Sequence, residues 1–413
     1  MPSAELASSK VSVPFFRPSI TKAELEEVAD TLRTGWLTTG PKVKRFETEF
    51  ATSVRAEFGV ALNSGTAALH LAVEALNLQP GQAVLIPTMT FAATAEVVRY
   101  KGAIPVLVDC DPETLNIDLQ DAARKLEYIE TGRLLAENGK QIPTVGIIPV
   151  HVGGLMVDMD AVKAFARERQ LWIVEDAAHA FPAAWRRDKT EPWRSCGQGD
   201  SEVACFSFYA NKTITTGEGG MAVTNRADLA ERMRMMSLHG LSRDAWGRYL
   251  GGSWDYKIMA PGFKYNLTDV AAALGIHQLA RAEEMRRMRE SIATAYLEGL
   301  GSVEEIDLPS KGEDRIHSWH LFPIRLCLEK LAIDRNQFIE ALKRSGIGCS
   351  VHWRPLHLHP YYQETFGWRP EEFRVSTGVW ERLISLPIFP DMRDDELEHV
   401  VTTVKALCVR YAR

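Results

Sequence analysis

The sequence has no basic block, no long apolar run and few cysteines. Lys and Arg total 48 against 54 Asp and Glu, a formal net charge of −6, so general affinity for nucleic acid or an anionic membrane surface is not expected. The long uncharged stretch at 144–157 is too short and too interrupted by His, Pro and Gly to span a bilayer. The six cysteines, at 110, 196, 205, 327, 349 and 408, form no CxxC pair and no regular spacing. That argues against a disulfide framework and a zinc site, and for free thiols in a reducing cytoplasm. The start, MPSAELASSKVSVPFF, lacks an apolar core behind a positive end, so no leader is read there and the expected location is cytoplasmic. Internal repeats and low-complexity tracts are also missing.

What is present is the composition of an ordinary globular chain, 46% hydrophobic and 25% charged over 413 residues, long enough for two domains. From about 60 to 225, short apolar runs alternate with amphipathic stretches, the pattern of crossover-connected strands. Strands are expected at 83–87, 105–109, 146–151, 171–176, 203–208 and 220–224, with helices at 64–76, 92–101 and 160–170. A single long helix is expected from 268 to about 300. Beyond 315 a smaller α/β unit is read, with strands at 320–326 and 349–352, a helix at 334–345 and a closing helix after Asp394. This gives an N-terminal segment (1–25) packing on the body, a large domain (26–280), and a linking helix with a small domain (281–413).

Chemistry concentrates where strands end. Lys212, in Ser207-Phe208-Tyr209-Ala210-Asn211-Lys212, lies just past one strand and before a glycine-rich turn into another. A sheet end presents such a lysine to a cleft, and a desolvated amine can attack an aldehyde. Alone it reads more readily as a solvated loop lysine. The strand Leu171-Trp172-Ile173-Val174-Glu175-Asp176 ends in adjacent acids, and alternation sends them to opposite sides. Asp176 under a pyridine nitrogen would keep that nitrogen protonated; alone it would serve as a helix cap. Asn63-Ser64-Gly65-Thr66 opens a helix with small residues that suit an anion or a plain N-cap. Phe91, after another strand, offers an aromatic face or a core side chain. In chain order these supply a phosphate binder, a ring stacker, a pyridine partner and a lysine, a complete constellation for pyridoxal 5′-phosphate (PLP).

With these residues in place, the chain resembles the DegT/DnrJ/EryC1/StrS family of PLP-dependent enzymes, mostly nucleotide-sugar aminotransferases. The likeness runs from Gly35-Trp36-Leu37-Thr38-Thr39-Gly40-Pro41 to Leu386-Pro387-Ile388-Phe389-Pro390-Asp391-Met392. It implies an α/β fold of fold type I, aspartate aminotransferase-like, with a large mixed-sheet domain and a smaller C-terminal one. It further implies that Lys212 forms the Schiff base with PLP and that Asp176 pairs with the pyridine nitrogen. By the same resemblance, Phe91 stacks on the ring, and Gly65, Thr66 and Ser207 bind the phosphate. His179 faces the cofactor, and Asn266 reaches the phosphate of a neighbouring subunit, which implies a homodimer with shared active sites. Relatives with histidine in place of the lysine are dehydratases, whereas Lys212 favours aminotransfer.

The reaction so implied moves an amino group from a donor, L-glutamate by resemblance, to a keto group of a nucleotide-linked deoxysugar. The alternative is a same-fold transaminase for small amines, ketones or aldehydes. The segment Val351-His352-Trp353-Arg354-Pro355-Leu356-His357 resembles the family's acceptor-side segment, with His352 and His357 as substrate-contact candidates and structural histidines as the competing reading. Residues 237–244 are read as a lid. A DNA-binding regulator on this fold would need a basic recognition helix, and the sequence shows none.

Overall fold

Short, mostly apolar runs of four or five residues build a seven-stranded sheet in this computed structural model, which describes residues 11–132, 142–242 and 255–413. Its strands are β1 (Phe58–Leu62), β2 (Ala83–Pro87), β3 (Ile104–Val108), β4 (Thr144–Ile147), β5 (Trp172–Asp176), β8 (Val203–Ser207) and β9 (Gly220–Thr224), in the order β1-β9-β8-β5-β4-β2-β3. A short hairpin, β6 (Ala184–Trp185) and β7 (Arg194–Ser195), lies outside it. From β8 to β3 all neighbours are parallel, and β9 runs antiparallel to both β8 and β1. Parallel strands need crossovers and are covered on both faces, hence their unbroken apolar character.

The alternation of side chains is visible along single strands. Val84 and Ile86 enter one core and Leu85 the other, while Cys205 opposes Ala204 and Phe206. One face is covered by α3 (Gly65–Ala75), α4 (Ala92–Tyr100) and α7 (Ala227–Ser237). The opposite face carries α2 (Pro41–Val54), α5 (Leu119–Glu130) and α6 (Met159–Glu168), with α1 (Lys22–Thr34) outside α8 (Asp269–Ala280). Phe46, Phe50, Phe206 and Phe208 meet there with ring centroids 5.0–6.1 Å apart. Each such pair contributes about 0.5–1.5 kcal/mol beyond area burial. This cluster anchors the chain four residues before Lys212.

A second, smaller body gathers on α9 (Ala282–Leu300). It holds β10 (Ile306–Asp307), β12 (Phe322–Leu326) and β13 (Leu383–Leu386) in one sheet, with α10 (Arg335–Arg344) and α13 (Asp394–Tyr411) against it. Outside that core, β11 (Arg315–Ile316) pairs with β6, α11 (Pro360–Phe366) packs Tyr362 and Phe366 on the core under α3 and α4, and α12 (Arg374–Arg382) places Val379 in a small cluster with Met89 and Val150. The N-terminal segment packs on this body: Val13 pairs with Ile347 and lies in its core, and Arg17 bonds Glu396 at 2.6 Å.

Three expectations change. The long helix from 268 is two helices, broken at Arg281 (φ −102°, ψ 3°), whose guanidinium is drawn to Ser19 and Glu24. The expected strand 349–352 is reduced to one bridge between Ser350 and Ser385, because the chain turns there to face a cavity. Strand 146–151 ends at Ile147, leaving Val150 to bridge Asp176. Strand β1 was not expected, although Phe58-Gly59-Val60-Ala61-Leu62 is an apolar run directly before the Ser64 cap. Among the described residues no helix is long and apolar enough to cross a membrane, and all six cysteines are free.

Candidate active site

The carboxyl ends of β5 and β8 and the start of α3 open on a cavity of about 470 Å³. The crevice at strand carboxyl ends is where open α/β sheets place ligands. Of the residues singled out in the sequence, Gly65, Thr66, Phe91, Asp176, His179, Ser207, Lys212 and His352 all line it.

Lys212 is carried by a tight loop between β8 and β9. Phe208 closes that loop, donating its N–H to Gly219 (2.9 Å) and accepting from Thr216 (3.0 Å) and Thr215 Oγ1 (3.0 Å), while the Lys212 N–H donates to Tyr209 (2.9 Å). The Lys212 amine makes no salt bridge among the described residues. Burial pushes its pKa down to about 8, against a smaller opposing pull from Asp176.

Asp176 ends β5 with its side chain turned to the cavity, and Glu175 goes the other way, as alternation requires. Oδ2 of Asp176 accepts from Thr94 Oγ1 at 2.7 Å and Oδ1 accepts from the Ala178 N–H at 3.2 Å. Burial raises its pKa, while those bonds and the Lys212 charge oppose the rise. Glu175 is wholly buried and receives His151 Nε2 (2.9 Å) and Ser201 Oγ (2.6 Å). With Cys196 these are the potential metal ligands grouped among the described residues, yet Nδ1 of His151 already accepts the Val157 N–H. The pair is satisfied as a core hydrogen bond.

At the start of α3, where Gly65 and Thr66 line the cavity, Ser64 Oγ takes the Ala67 N–H (3.0 Å), and the first N–H groups of a helix have no partner within it. Gly65 is demanded by packing, since a Cβ there would lie 2.9 Å from the Ser207 Cβ. Phe91, the N-cap of α4, is 62% exposed at the cavity mouth rather than in the core.

The far wall joins His179, from the segment after β5, to His320, His352 and Trp353 from later in the chain. His179 accepts the Gly153 N–H on Nδ1 (3.3 Å), so its Nε2 carries the proton, and its ring stacks on Trp353. His352 Nδ1 meets Ser385 Oγ at 2.9 Å. His320, which the sequence reading missed as a strand start, packs on His179 with centroids 4.2 Å apart, and its buried Nδ1 has no hydrogen-bond partner. Burial holds the pKa of His179 and His320 well below the ordinary value and that of His352 at about 4. The His320 backbone is gripped by the buried guanidinium of Arg289, whose Nη1 donates to the carbonyls of Trp319 (3.2 Å), His320 (3.5 Å) and Ile388 (2.8 Å).

Two candidates lie elsewhere. His357 is wholly buried outside the cavity, both ring nitrogens engaged by Thr88 (2.8 Å) and Thr377 (2.9 Å), its ring stacked on Phe373. Geometry makes it a structural histidine. Asn266 donates to Thr39 Oγ1 (2.7 Å), accepts from Lys264 Nζ, and lines a separate cavity of about 440 Å³. The lid segment reaches that second cavity through Ser237, Leu238, Leu241 and Ser242; residues 243 and 244 fall outside the described residues.

A half-buried lysine, a buried acid and a helix start around one cavity are matched by the comparisons with known proteins. The profile of the DegT/DnrJ/EryC1/StrS aminotransferase family matches residues 18–405. The chain belongs to that family. It is 42% identical over 396 residues to the spore coat polysaccharide biosynthesis protein SpsC of Bacillus subtilis, covering 95% of this chain and 96% of that one. An uncharacterized protein of Methanocaldococcus jannaschii is 44% identical over 396 residues, covering 96% and 97%. Among solved structures, Spr1654 of Streptococcus pneumoniae, described as a sugar aminotransferase, matches in its PMP form at TM-score 0.84 and 30% identity, covering 97% and 98%. DesV of S. venezuelae, solved with a ketimine intermediate, matches at 0.82 and 30%, covering 96% and 98%. The DegT/DnrJ/EryC1/StrS member described here is therefore a PLP-dependent aminotransferase of fold type I.

The residues present fit that cofactor. The α3 start offers two free N–H groups for a phosphate, Asp176 directs a carboxylate inward, and Asn211 Oδ1 and His320 Nδ1 are buried cavity-lining atoms without partners.

Proposed function

We propose that this enzyme moves the amino group of L-glutamate to the keto carbon of a nucleotide-linked deoxysugar. The observation that carries this reading is the character of the wall facing Lys212: His179, His320 and His352 are held neutral by burial beside the Trp353 ring. A neutral imidazole both donates and accepts, which suits sugar hydroxyls, and an aromatic face suits a pyranose ring. Spr1654, described as a sugar aminotransferase, and the spore coat polysaccharide biosynthesis protein SpsC support the same substrate class.

In this reading PLP supplies an aldehyde that condenses with amines and a pyridinium ring that draws electrons from the reacting carbon. The protein does the rest. Gly65, Thr66 and Ser207 would hold the phosphate, Phe91 would stack on the ring, and His179 would face the cofactor. Asp176 holds a proton at the ring nitrogen. The Lys212 amine, its pKa lowered by burial, would accept a proton from the donor's substrate carbon and pass it to C4′ of the cofactor, and would run the same transfer in reverse with the acceptor.

The enzyme works, in this proposal, as a cytoplasmic homodimer. Asn266, close to Thr39 and outside its own subunit's Lys212 cavity, serves the neighbouring site. The six free cysteines accord with a reducing compartment. The test is a half-reaction screen in which each productive donor or acceptor converts the cofactor's visible band. Turnover of UDP- or dTDP-linked ketosugars with glutamate is expected. Turnover of small ketones alone would replace the sugar by a small-amine substrate.

A further inference from the structure

Asp176 is reached from behind by two buried hydroxyls. Thr94 Oγ1 donates to Asp176 Oδ2 at 2.7 Å, and Thr94 Oγ1 and Thr90 Oγ1 are 2.7 Å apart. Thr94 is wholly buried and Thr90 is 1% exposed, yet Thr90 is at the cavity wall. A hydroxyl has one hydrogen. Thr94 spends its own on the carboxylate, so Thr90 must be the donor in the second bond. The chain of donors therefore points one way, from cavity wall to carboxylate, as long as Asp176 is ionised. A proton on Oδ2 of Asp176 would have to reverse both.

We propose that Thr94, with its proton order fixed by Thr90, is the positioning residue that keeps Asp176 ionised and aimed at the cofactor's ring nitrogen. The inference rests on the role of Asp176 proposed above. Three features carry it. First, a buried carboxylate is driven toward its neutral form, and only hydrogen bonds or cations to the charged form oppose that. Second, with Thr94 on Oδ2 and the Ala178 N–H on Oδ1, both oxygens act as acceptors, an arrangement that favours the ionised form. Third, Thr94 lies in the first turn of α4, whose N-cap is Phe91, so the helix that sets the ring-stacking aromatic also sets the carboxylate. The other titratable groups that sense Asp176 are Lys212, His151 and Cys205. His151 is already engaged by Glu175, and the Cys205 thiol is held protonated by burial. Thr94 is thus the side-chain donor committed to the Asp176 carboxylate among the described residues.

The test uses the PLP-loaded enzyme and reads the pH at which the cofactor's visible band titrates. A protonated ring nitrogen opposes protonation of the nitrogen linked to Lys212, so weakening Asp176 moves that midpoint upward. Thr94→Val, nearly isosteric but without the donor, is expected to raise it by roughly one unit and to slow the donor half-reaction about tenfold. Thr94→Ser keeps the donor and should restore both, and Thr90→Val should shift the midpoint the same way by less. Melting temperatures check that the variants are folded. An unmoved midpoint in folded Thr94→Val, or equal impairment of the Ser and Val variants, overturns the proposal. Asp176→Asn separates the two levels: if it moves the midpoint and Thr94→Val does not, only the Thr94 inference fails. If Asp176→Asn itself leaves midpoint and rate unchanged, the assignment of Asp176 falls and the inference with it.

Discussion

His179 and Trp353 lie face to face, their ring centroids 5.0 Å apart and their planes 21° from parallel. One ring belongs to the segment after β5 and the other to the small body, so the contact sews the two walls of the cavity together. Replacing Trp353 with Ala should raise KM for the keto acceptor about tenfold, from the loss of a stacking face. Trp353→Phe should retain most of the affinity. Stopped-flow of each half-reaction checks this, and an equal loss in the donor half-reaction would show that Trp353 supports the cofactor instead.

Lys212 should react with an aldehyde far below the pH of an ordinary lysine. In cofactor-free protein, the rate of condensation with pyridoxal phosphate should rise with pH through a midpoint near the pKa of about 8, and vanish in Lys212→Ala. The sign for stability follows. The unfolded chain holds this proton up to the ordinary lysine value of 10.5, so cofactor-free protein gains stability between about pH 8 and 10.5. A midpoint near 10.5 would show that the amine is solvated.

His357 should matter to stability and not to turnover. His357→Ala strands the hydroxyls of Thr88 and Thr377 and empties the space under Phe373. The expected cost is about 2–4 kcal/mol in urea unfolding. The kcat of the folded variant should be unchanged. A drop in kcat without loss of stability would return His357 to the substrate site.

Several histidines make the fold acid-labile. His70 and His352 have pKa values lowered by burial to about 4, and His317 to about 3. Their folded forms resist protons that the unfolded chain accepts below about 6.5, so stability is complete above that pH and falls as pH drops toward 4. Thermal melts across this window should show the decline. A flat profile between pH 6.5 and 4 would mean these rings are hydrated in solution.

The parts of the site legible in the sequence are those whose position follows from a strand end. Lys212, Asp176 and Gly65 sit where β8, β5 and α3 begin or stop, and local pattern locates those points. Contacts closed over long separations were not legible. Thr94 meets Asp176 across 82 residues, and nothing in the letters of α4 marks that threonine. His320 looked like the first residue of a strand, and only the fold turns it into the cavity. His357 and His352 share one short segment, yet a turn between them sends one ring to the core and the other to the site. The break at Arg281 was hidden for the same reason, since its partners Ser19 and Glu24 lie at the other end of the chain.

The three carbonyls gathered by Arg289 come from two separate stretches, 319–320 and 388, while the guanidinium itself stands on α9. Burial lowers its pKa only to about 10, so at neutral pH the cation persists inside the protein. It acts there as a keystone. The histidine wall is set before any ligand arrives, and a ligand meeting a wall already in place loses less freedom with it on binding. Discrimination between acceptors then rests on fit to a rigid surface, so enlarging the range of accepted ketones by substitution should begin with Trp353 and leave Arg289 untouched.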